Sequence, residues 1–124
     1  MTLNIPLLIA GILTTIAALV HSIAGEITTV RPLLSTELNE VPKLELRAAW
    51  YMVAVHLFAS AIMLFILAFT TPRDVVMGRF LAIQFFGYGL AFLGLAVFNR
   101  IGLFRAPQWV LLFLISGLTY WGSI

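Results

Sequence analysis

The sequence predicts an all-α integral membrane protein: a four-transmembrane-helix bundle that forms a single membrane domain over residues 1–124. The chain is 62% hydrophobic and only 10% charged, whereas soluble domains carry about 25% charged residues. Four apolar stretches each approach the roughly 20 residues that a helix needs to cross the hydrocarbon core. Because backbone polar groups in lipid must bond within their own segment, these stretches are expected to be helices.

The boundaries of the helices are indicated by capping residues and prolines. Asn4 followed by Pro6 fits the start of a first helix. Thr71 followed three residues later by Asp74 resembles a capping box, with the threonine as the cap of the third helix. Pro107 marks the start of the fourth. The predicted helices cover about residues 5–27, 43–70, 73–99 and 107–123.

Two of these helices carry small or weakly polar residues at alternating spacings of three and four. In the first helix they are Gly11, Thr14, Ala18, His21, Gly25 and Thr28. In the third helix they are Gln84, Gly87, Ala91 and Gly94. Membrane helices associate through such faces, because lipid provides no hydrophobic force that drives helices together. Both stripes are therefore predicted to be packing faces.

Residues 20–50 contain four of the five acidic residues of the chain, and they are where we expect any binding site. Polar groups near the membrane interior are costly and usually face a bundle interior or a cavity. This predicts a basic ligand-binding pocket between the first two helices for a lipid head group, a quinone or an anionic ligand. The predicted site residues are His21, Ser22, Gly25, Glu26, Arg47 and Trp50.

Helical spacing predicts how these residues are arranged. His21 and Glu26 are five residues apart, which is about 140° around an α-helix, so they are not expected to share a face. Ser22 and Glu26 do share one. Arg47 lies one turn before Trp50, so its guanidinium is expected to stack on or beside the indole. Its nearest acidic partners are Glu26 and Glu45.

The sequence gives little support for a cofactor, a metal or a nucleic acid. The absence of cysteine excludes thiolate sites. A haem b between His21 and His56 is disfavoured, because their predicted depths differ by roughly 6 Å, and no third strong ligand completes a metal site. The net charge is only +2 and the basic residues are scattered, so no nucleic-acid partner is expected.

One pattern carries a resemblance to known proteins. It consists of His21-Ser22-x-x-Gly25-Glu26 near the end of the first helix, followed by Pro32-Leu33 and then by Arg47-x-x-Trp50 at the start of the second. This pattern resembles a group of uncharacterised small bacterial four-helix membrane proteins with an H-S-x-x-G-E motif, in which a histidine follows the tryptophan where this chain has Tyr51. The resemblance implies a bacterial cytoplasmic membrane and no known activity.

The basic residues predict the orientation. An even number of spans places both termini on the side of the turn that contains Arg73 and Arg79. The opposite side carries the other five basic residues: Arg31, Lys43, Arg47, Arg100 and Arg105. Because basic residues are enriched in cytoplasmic loops, both termini are predicted to lie outside.

Three functions remain open at this stage. The first is a small polytopic membrane protein, without enzymatic activity, that acts as a homo-oligomer or as an accessory subunit of a larger membrane assembly. The second is a binder or carrier of a lipid-like or anionic small ligand at the pocket between the first two helices. The third is a membrane enzyme, or a haem or quinone redox protein, that uses His21. Membrane lipids and a membrane-protein partner are the expected surroundings.

Overall fold

The computed structural model describes residues 2–124, of which most are helical and none lies in a strand. The prediction of an all-α protein is therefore confirmed. The four helices are α1 (Ile5–Leu34), α2 (Glu40–Phe69), α3 (Val75–Phe98) and α4 (Gln108–Ser123). The first three are long and apolar enough to cross a membrane. The 16 residues of α4 extend only about 24 Å.

Helices α1 and α3 both begin at a capping side chain, and only the cap of α1 is the predicted one. Asn4 caps α1, because its side chain accepts a hydrogen bond from the amide of Leu7, at 3.0 Å. The predicted capping box of α3 is wrong. Asp74 is itself the cap, accepting a hydrogen bond from the amide of Met77 at 3.0 Å, and the helix begins at Val75. An aspartate suits either position of a box, so the spacing alone did not decide between them.

Helix α1 is longer than predicted and changes its winding half-way. Residues Ile5–Leu19 are α-helical, and two π-helical segments follow, Val20–Ala24 and Glu26–Val30, separated by Gly25. In the first π segment the amide of Gly25 bonds the carbonyl of Val20, five residues back. The helix continues to Leu34 instead of ending near residue 27.

Helix packing follows an order that differs from the order in the chain. Helix α1 packs against α2 and α4, and α3 packs against α4, whereas the backbones of α2 and α3 approach each other at few points. Two clusters of buried residues form the core. One contains Leu7, Ala10, Leu64, Leu67, Ala68 and Leu81, and the other contains Ala18, Leu57, Phe85, Leu112 and Ile115.

Three helix ends meet at Asn4. Its amide donates to the carbonyl of Ala68 at 3.0 Å, and its side-chain nitrogen donates to the carbonyl of Gly122 at 2.9 Å. Arg73 donates to the carbonyl of Thr2 at 2.9 Å. The start of α1, the end of α4 and the turn between α2 and α3 therefore share one end of the molecule, which we call the terminal end. The opposite end, with loops 35–39 and 99–107, is the loop end.

Candidate functional site

The contact between His21 and Trp50 joins α1 to α2. His21 Nε2 lies 2.8 Å from the carbonyl oxygen of Trp50. The two rings are stacked, with centroids 4.0 Å apart and planes 15° from parallel. A carbonyl oxygen only accepts hydrogen bonds, so the proton lies on Nε2. One imidazole thus makes a hydrogen bond and an aromatic stack with the same residue.

This contact requires a glycine at position 25. Gly25 is buried, and a Cβ added there would overlap the six-membered ring of the Trp50 indole. Gly25 also lies between the two π segments, so the change in winding and the close approach of α2 occur at the same point of α1. Segments of π-helix often occur at functional sites, which directs attention to this part of the molecule.

Beyond Gly25, a carboxylate, a phenol and a guanidinium form a chain of hydrogen bonds. The Tyr51 hydroxyl donates to Glu26 Oε2 at 3.0 Å and accepts from Arg47 Nε at 3.3 Å. The guanidinium carbon of Arg47 also lies 5.6 Å from the centre of the Tyr51 ring. Arg47 therefore reaches Glu26 through Tyr51.

The sequence analysis does not select Tyr51 as a site residue. The available signal was the spacing of Arg47 and Tyr51, since residues four apart are neighbours on one helix face. The predicted placement of Arg47 on Trp50 is also wrong. The guanidinium lies over Tyr51, while His21 stacks on the indole.

The predicted separation of His21 and Glu26 around the helix is also wrong. The estimate of about 140° assumed α-helical winding, but this segment forms i→i+5 hydrogen bonds, which place residues five apart nearly above one another. His21 contacts Trp50 and Glu26 contacts Tyr51, which are neighbours on α2. Both side chains therefore face α2.

Ser22 differs from the other predicted site residues. Its hydroxyl oxygen is buried and has no hydrogen-bond partner within residues 2–124. The indole nitrogen of Trp50 is in the same situation. Unpaired buried polar atoms are uncommon in folded proteins, and each indicates strain or a partner that the protein part alone does not supply.

A small groove lies next to Arg47 at the loop end. Its volume is about 200 Å³. The Lys43 ammonium donates to the carbonyl of Leu34 at 3.0 Å, which joins the start of α2 to the end of α1. The lining residues are Leu34, Glu40, Lys43, Leu44 and Arg47. The lining thus combines two apolar and three charged side chains.

His56, the second histidine, lies on another face of α2. Its Nε2 is 3.3 Å from the Ser60 hydroxyl, and its ring meets those of Tyr88 and Phe85 on α3, with centroids 5.5 and 6.4 Å away. The Nε2 of His21, by contrast, forms its hydrogen bond with the carbonyl oxygen of Trp50. Within residues 2–124, no group of three or more histidine or acidic side chains has the arrangement of a metal site.

The geometry unites most of the predicted site. Trp50 contacts both His21 and Gly25, and Glu26 and Arg47 are joined through Tyr51. No family model, curated protein or solved structure matches this chain.

Proposed function

We propose that this chain is a four-span protein of the bacterial cytoplasmic membrane that acts as a homo-oligomer or as an accessory subunit of a larger membrane assembly. Both termini lie outside in this proposal, and the loop end faces the cytoplasm. The proposal combines membrane insertion, the orientation predicted from the basic residues, and a face of α3 that has no partner within residues 2–124.

Membrane insertion is supported by the lengths of the helices and by the positions of the aromatic residues. From Trp50 to the end of α2 at Phe69 is about 29 Å at ~1.5 Å per residue, close to the roughly 30 Å of a hydrocarbon core. Tyr120 and Trp121 are exposed near the terminal end. Tryptophan and tyrosine are enriched at both membrane interfaces.

Helix α4 is the shortest proposed span. It lies between α1 and α3, and its Ser116 hydroxyl donates to the carbonyl of Ala82 on α3 at 2.6 Å. Neighbouring helices therefore cover part of its surface. A short span is accommodated by local thinning of the bilayer, at a cost of a fraction of a kcal/mol per Å.

The observation that carries the proposed assembly is the unused small-residue face of α3. The sequence predicts that Gly87, Ala91 and Gly94 belong to a packing face, yet a Cβ added at Gly87 or Gly94 would have no atom of another helix within 4 Å among residues 2–124. Ala91 is exposed as well. In lipid, small residues bring helices together by close backbone approach. A face of this kind without an internal partner fits a second chain.

The predicted site supports the same proposal. Trp50 contacts both His21 and Gly25 between α1 and α2. Contacts of this kind hold two helices together. Their arrangement therefore fits a structural role better than catalysis by His21.

Native mass spectrometry from a gentle detergent tests the assembly. We expect the wild-type chain to appear as a homo-oligomer or with a partner of fixed mass. Replacing Gly87 and Gly94 together by leucine should release single chains, because the side chains would prevent close approach. Gly117→Leu on α4 is the matched control, since Gly117 also faces open space. A wild-type chain that is always single, or a double variant that keeps its partner, would refute the proposal.

A second candidate is the binding of a small ligand between α1 and α2. It is favoured by the buried, unpaired Ser22 hydroxyl and Trp50 indole nitrogen, which a polar ligand group would satisfy. A lipid or small anion that copurifies with the wild-type chain and is lost in Ser22→Ala would support it. Equal ligand occupancy in the two proteins would contradict it.

A further inference from the structure

The loop between α3 and α4 presents large apolar side chains at the loop end. Residues 98–107 are all exposed except Ala106, which is partly buried. Large apolar side chains gathered on one exposed surface mark a contact with a membrane or with another protein. The charges of the same loop distinguish between these two partners. The large apolar side chains are Phe98, 88% exposed, Phe104, 78% exposed, Ile101, 42% exposed, and Leu103, 40% exposed.

The charged side chains of this loop are all positive. Arg100 and Arg105 are exposed, and no acidic residue follows Asp74 in the sequence. The other four acidic residues belong to residues 26–45, in α1, α2 and the loop between them. The loop therefore combines apolar side chains with two cations and supplies no counter-charge of its own. This combination suits the surface of a bilayer, where anionic head groups lie directly above acyl chains.

Arg100 is held in a backbone conformation that usually belongs to glycine. Its φ of 54° is the only positive φ among residues 2–124. The amide of Arg100 bonds the carbonyl of Val97 at 3.2 Å, and the amide of Ile101 bonds that of Ala96 at 2.9 Å. These two bonds form a Schellman motif, whose left-handed position is most often a glycine. A bulky side chain kept at a strained backbone position points to a function for that side chain.

Trp109 fixes the other end of the loop to α4. Its indole nitrogen donates to the carbonyl of Leu103 at 2.8 Å, and the centre of its ring lies 6.0 Å from that of Phe104. The amide of Arg105 bonds the carbonyl of Gly102 at 2.9 Å, which closes a turn. The loop is therefore folded against the start of α4 and presents its side chains in a defined arrangement.

Helix α4 begins below the level at which α3 ends, measured from the terminal end. A Cβ added at Gly78 would meet Ser123, and one added at Gly89 would meet Phe113, so the members of each pair lie at similar levels. From Gly78 to the end of α3 is about 30 Å, whereas from Ser123 to the start of α4 is about 23 Å. The loop therefore descends by about 7 Å from the end of one helix to the start of the other.

We propose that residues 98–107 dock on the lipid bilayer. Arg100 and Arg105 bind the phosphate of an anionic phospholipid, and the rings of Phe98 and Phe104 lie among its acyl chains. The step above α4 places the loop at the depth where head groups and acyl chains meet. An apolar protein surface would leave both arginines without a counter-charge, whereas one lipid supplies an anion and acyl chains together. The inference rests on the membrane insertion proposed above.

Native mass spectrometry with added lipid tests the phosphate contact. The full chain in detergent is titrated with phosphatidylglycerol, and we expect it to bind this lipid more tightly than phosphatidylcholine, which has no net charge. Arg100→Gln and Arg105→Gln should each lower the apparent affinity for phosphatidylglycerol about fivefold, the loss expected for one basic residue near an anionic surface. Circular dichroism of each variant separates loss of binding from loss of fold.

Arg79→Gln is the matched control, because Arg79 is an exposed arginine of α3 near the terminal end. Its affinity for phosphatidylglycerol should equal that of the wild-type chain. An affinity that is unchanged in both loop variants would overturn the proposal. Displacement of the lipid by inorganic phosphate would also overturn it, since that result would show a site for a free anion.

Labelling of single cysteines tests the docking of the loop. The chain has no cysteine of its own, so Phe104→Cys, Glu37→Cys and Ile62→Cys each introduce one reactive thiol. Ile62 lies on α2 and is 61% exposed, and Glu37 is exposed in the other loop of the same end. In lipid nanodiscs we expect a membrane-impermeant maleimide to label position 37 and to leave positions 104 and 62 unlabelled.

The pattern of labelling separates this proposal from the membrane insertion on which it rests. Labelling at positions 37 and 104 with position 62 protected would overturn the docking of the loop and leave membrane insertion intact. Labelling at all three positions would contradict membrane insertion itself, and both proposals would fail together.

Discussion

The two halves of α1 are held to the rest of the protein by different forces. The α-helical half buries a regular row of small and apolar residues: Leu7, Ala10, Gly11, Thr14 and Ala18. In the other half, from Val20 to Leu34, only Gly25 and Val30 are buried. There the contacts to α2 are a hydrogen-bonded aromatic stack and the chain from Glu26 through Tyr51 to Arg47.

The interactions that hold α1 to its neighbours therefore change along the length of the helix. In the interior of a bilayer, close packing of small side chains holds helices together, since burial from lipid gains little. Gly11 serves this purpose by letting the Phe65 ring approach. Near the loop end, polar side chains replace that packing. Four substitutions measure how far the two halves differ, in order of decreasing expected effect.

Leu7→Ala tests the packed half. Leu7 is 1% exposed and belongs to the first core cluster, so its truncation should lower the free energy of unfolding by about 2–3 kcal/mol through lost contacts and a cavity. Unfolding in mixed micelles, followed by circular dichroism, measures the change. Ile9→Ala, at a position that is 41% exposed, is the control. Equal effects of the two substitutions would show that this half is not held by packing.

Gly25→Ala tests the junction of the two halves. The added methyl group would overlap the Trp50 indole, so either the stack with His21 or the close approach of α2 must be lost. Overpacking of this kind should cost about 1–2 kcal/mol and should shift the emission of Trp50 in a protein whose other two tryptophans are replaced by phenylalanine. Gly117→Ala, in open space, should be neutral or stabilising. An unshifted emission spectrum would contradict the geometry.

His21→Phe separates the two parts of the His21 contact. Phenylalanine keeps a ring to stack on Trp50 but cannot donate to its carbonyl, so the cost should be about 1 kcal/mol. His21→Ala removes both interactions and should cost more, by about 0.5–1 kcal/mol for the lost aromatic pair. The same unfolding measurement applies to both variants. If they are equally destabilised, the stack contributes nothing.

Tyr51→Phe should have the smallest effect on stability. Its hydroxyl joins Glu26 to Arg47, but the side chain is 40% exposed. Polar interactions at exposed positions contribute little to the free energy of unfolding, here less than about 0.5 kcal/mol. Tyr120→Phe supplies the comparison, because that hydroxyl belongs to an exposed residue near the other end. A loss from Tyr51→Phe as large as that from Leu7→Ala would invert the contrast between the two halves.

The helices could be predicted from the sequence because a long apolar run in lipid must form a helix to pair its backbone polar groups. Asn4 could be predicted as a cap because an asparagine side chain can accept a hydrogen bond from a free amide in the first turn. The length of α1 was missed. Its polar residues after position 25 suggested a loop, yet Val30 is completely buried and the helix continues to Leu34. Polar residues near the end of a helix indicate that the segment is exposed to water, but they do not show where the helix ends.

The predicted site residues were largely brought together, but their arrangement was not foreseen. Spacing rules assume 3.6 residues per turn, and the π segments around Gly25 change which residues are neighbours. The bridging role of Tyr51 depends on Glu26 reaching α2, which follows from that changed winding. The π-helical winding of this segment, which spacing rules for an α-helix do not predict, thus determines the geometry of the site.

The bonds of Asn4 have a practical consequence for engineering. Because this residue binds the carbonyl of Gly122 directly, residues 2–124 begin and end side by side. Joining the two ends with a short glycine linker and opening the chain within residues 35–39 should give a circular permutant with the same four-helix arrangement. Permutation succeeds at exposed loop tips of this kind. In such a protein α2 would be made first and α1 last, so the order in which the helices are synthesised could be varied while the folded contacts are kept.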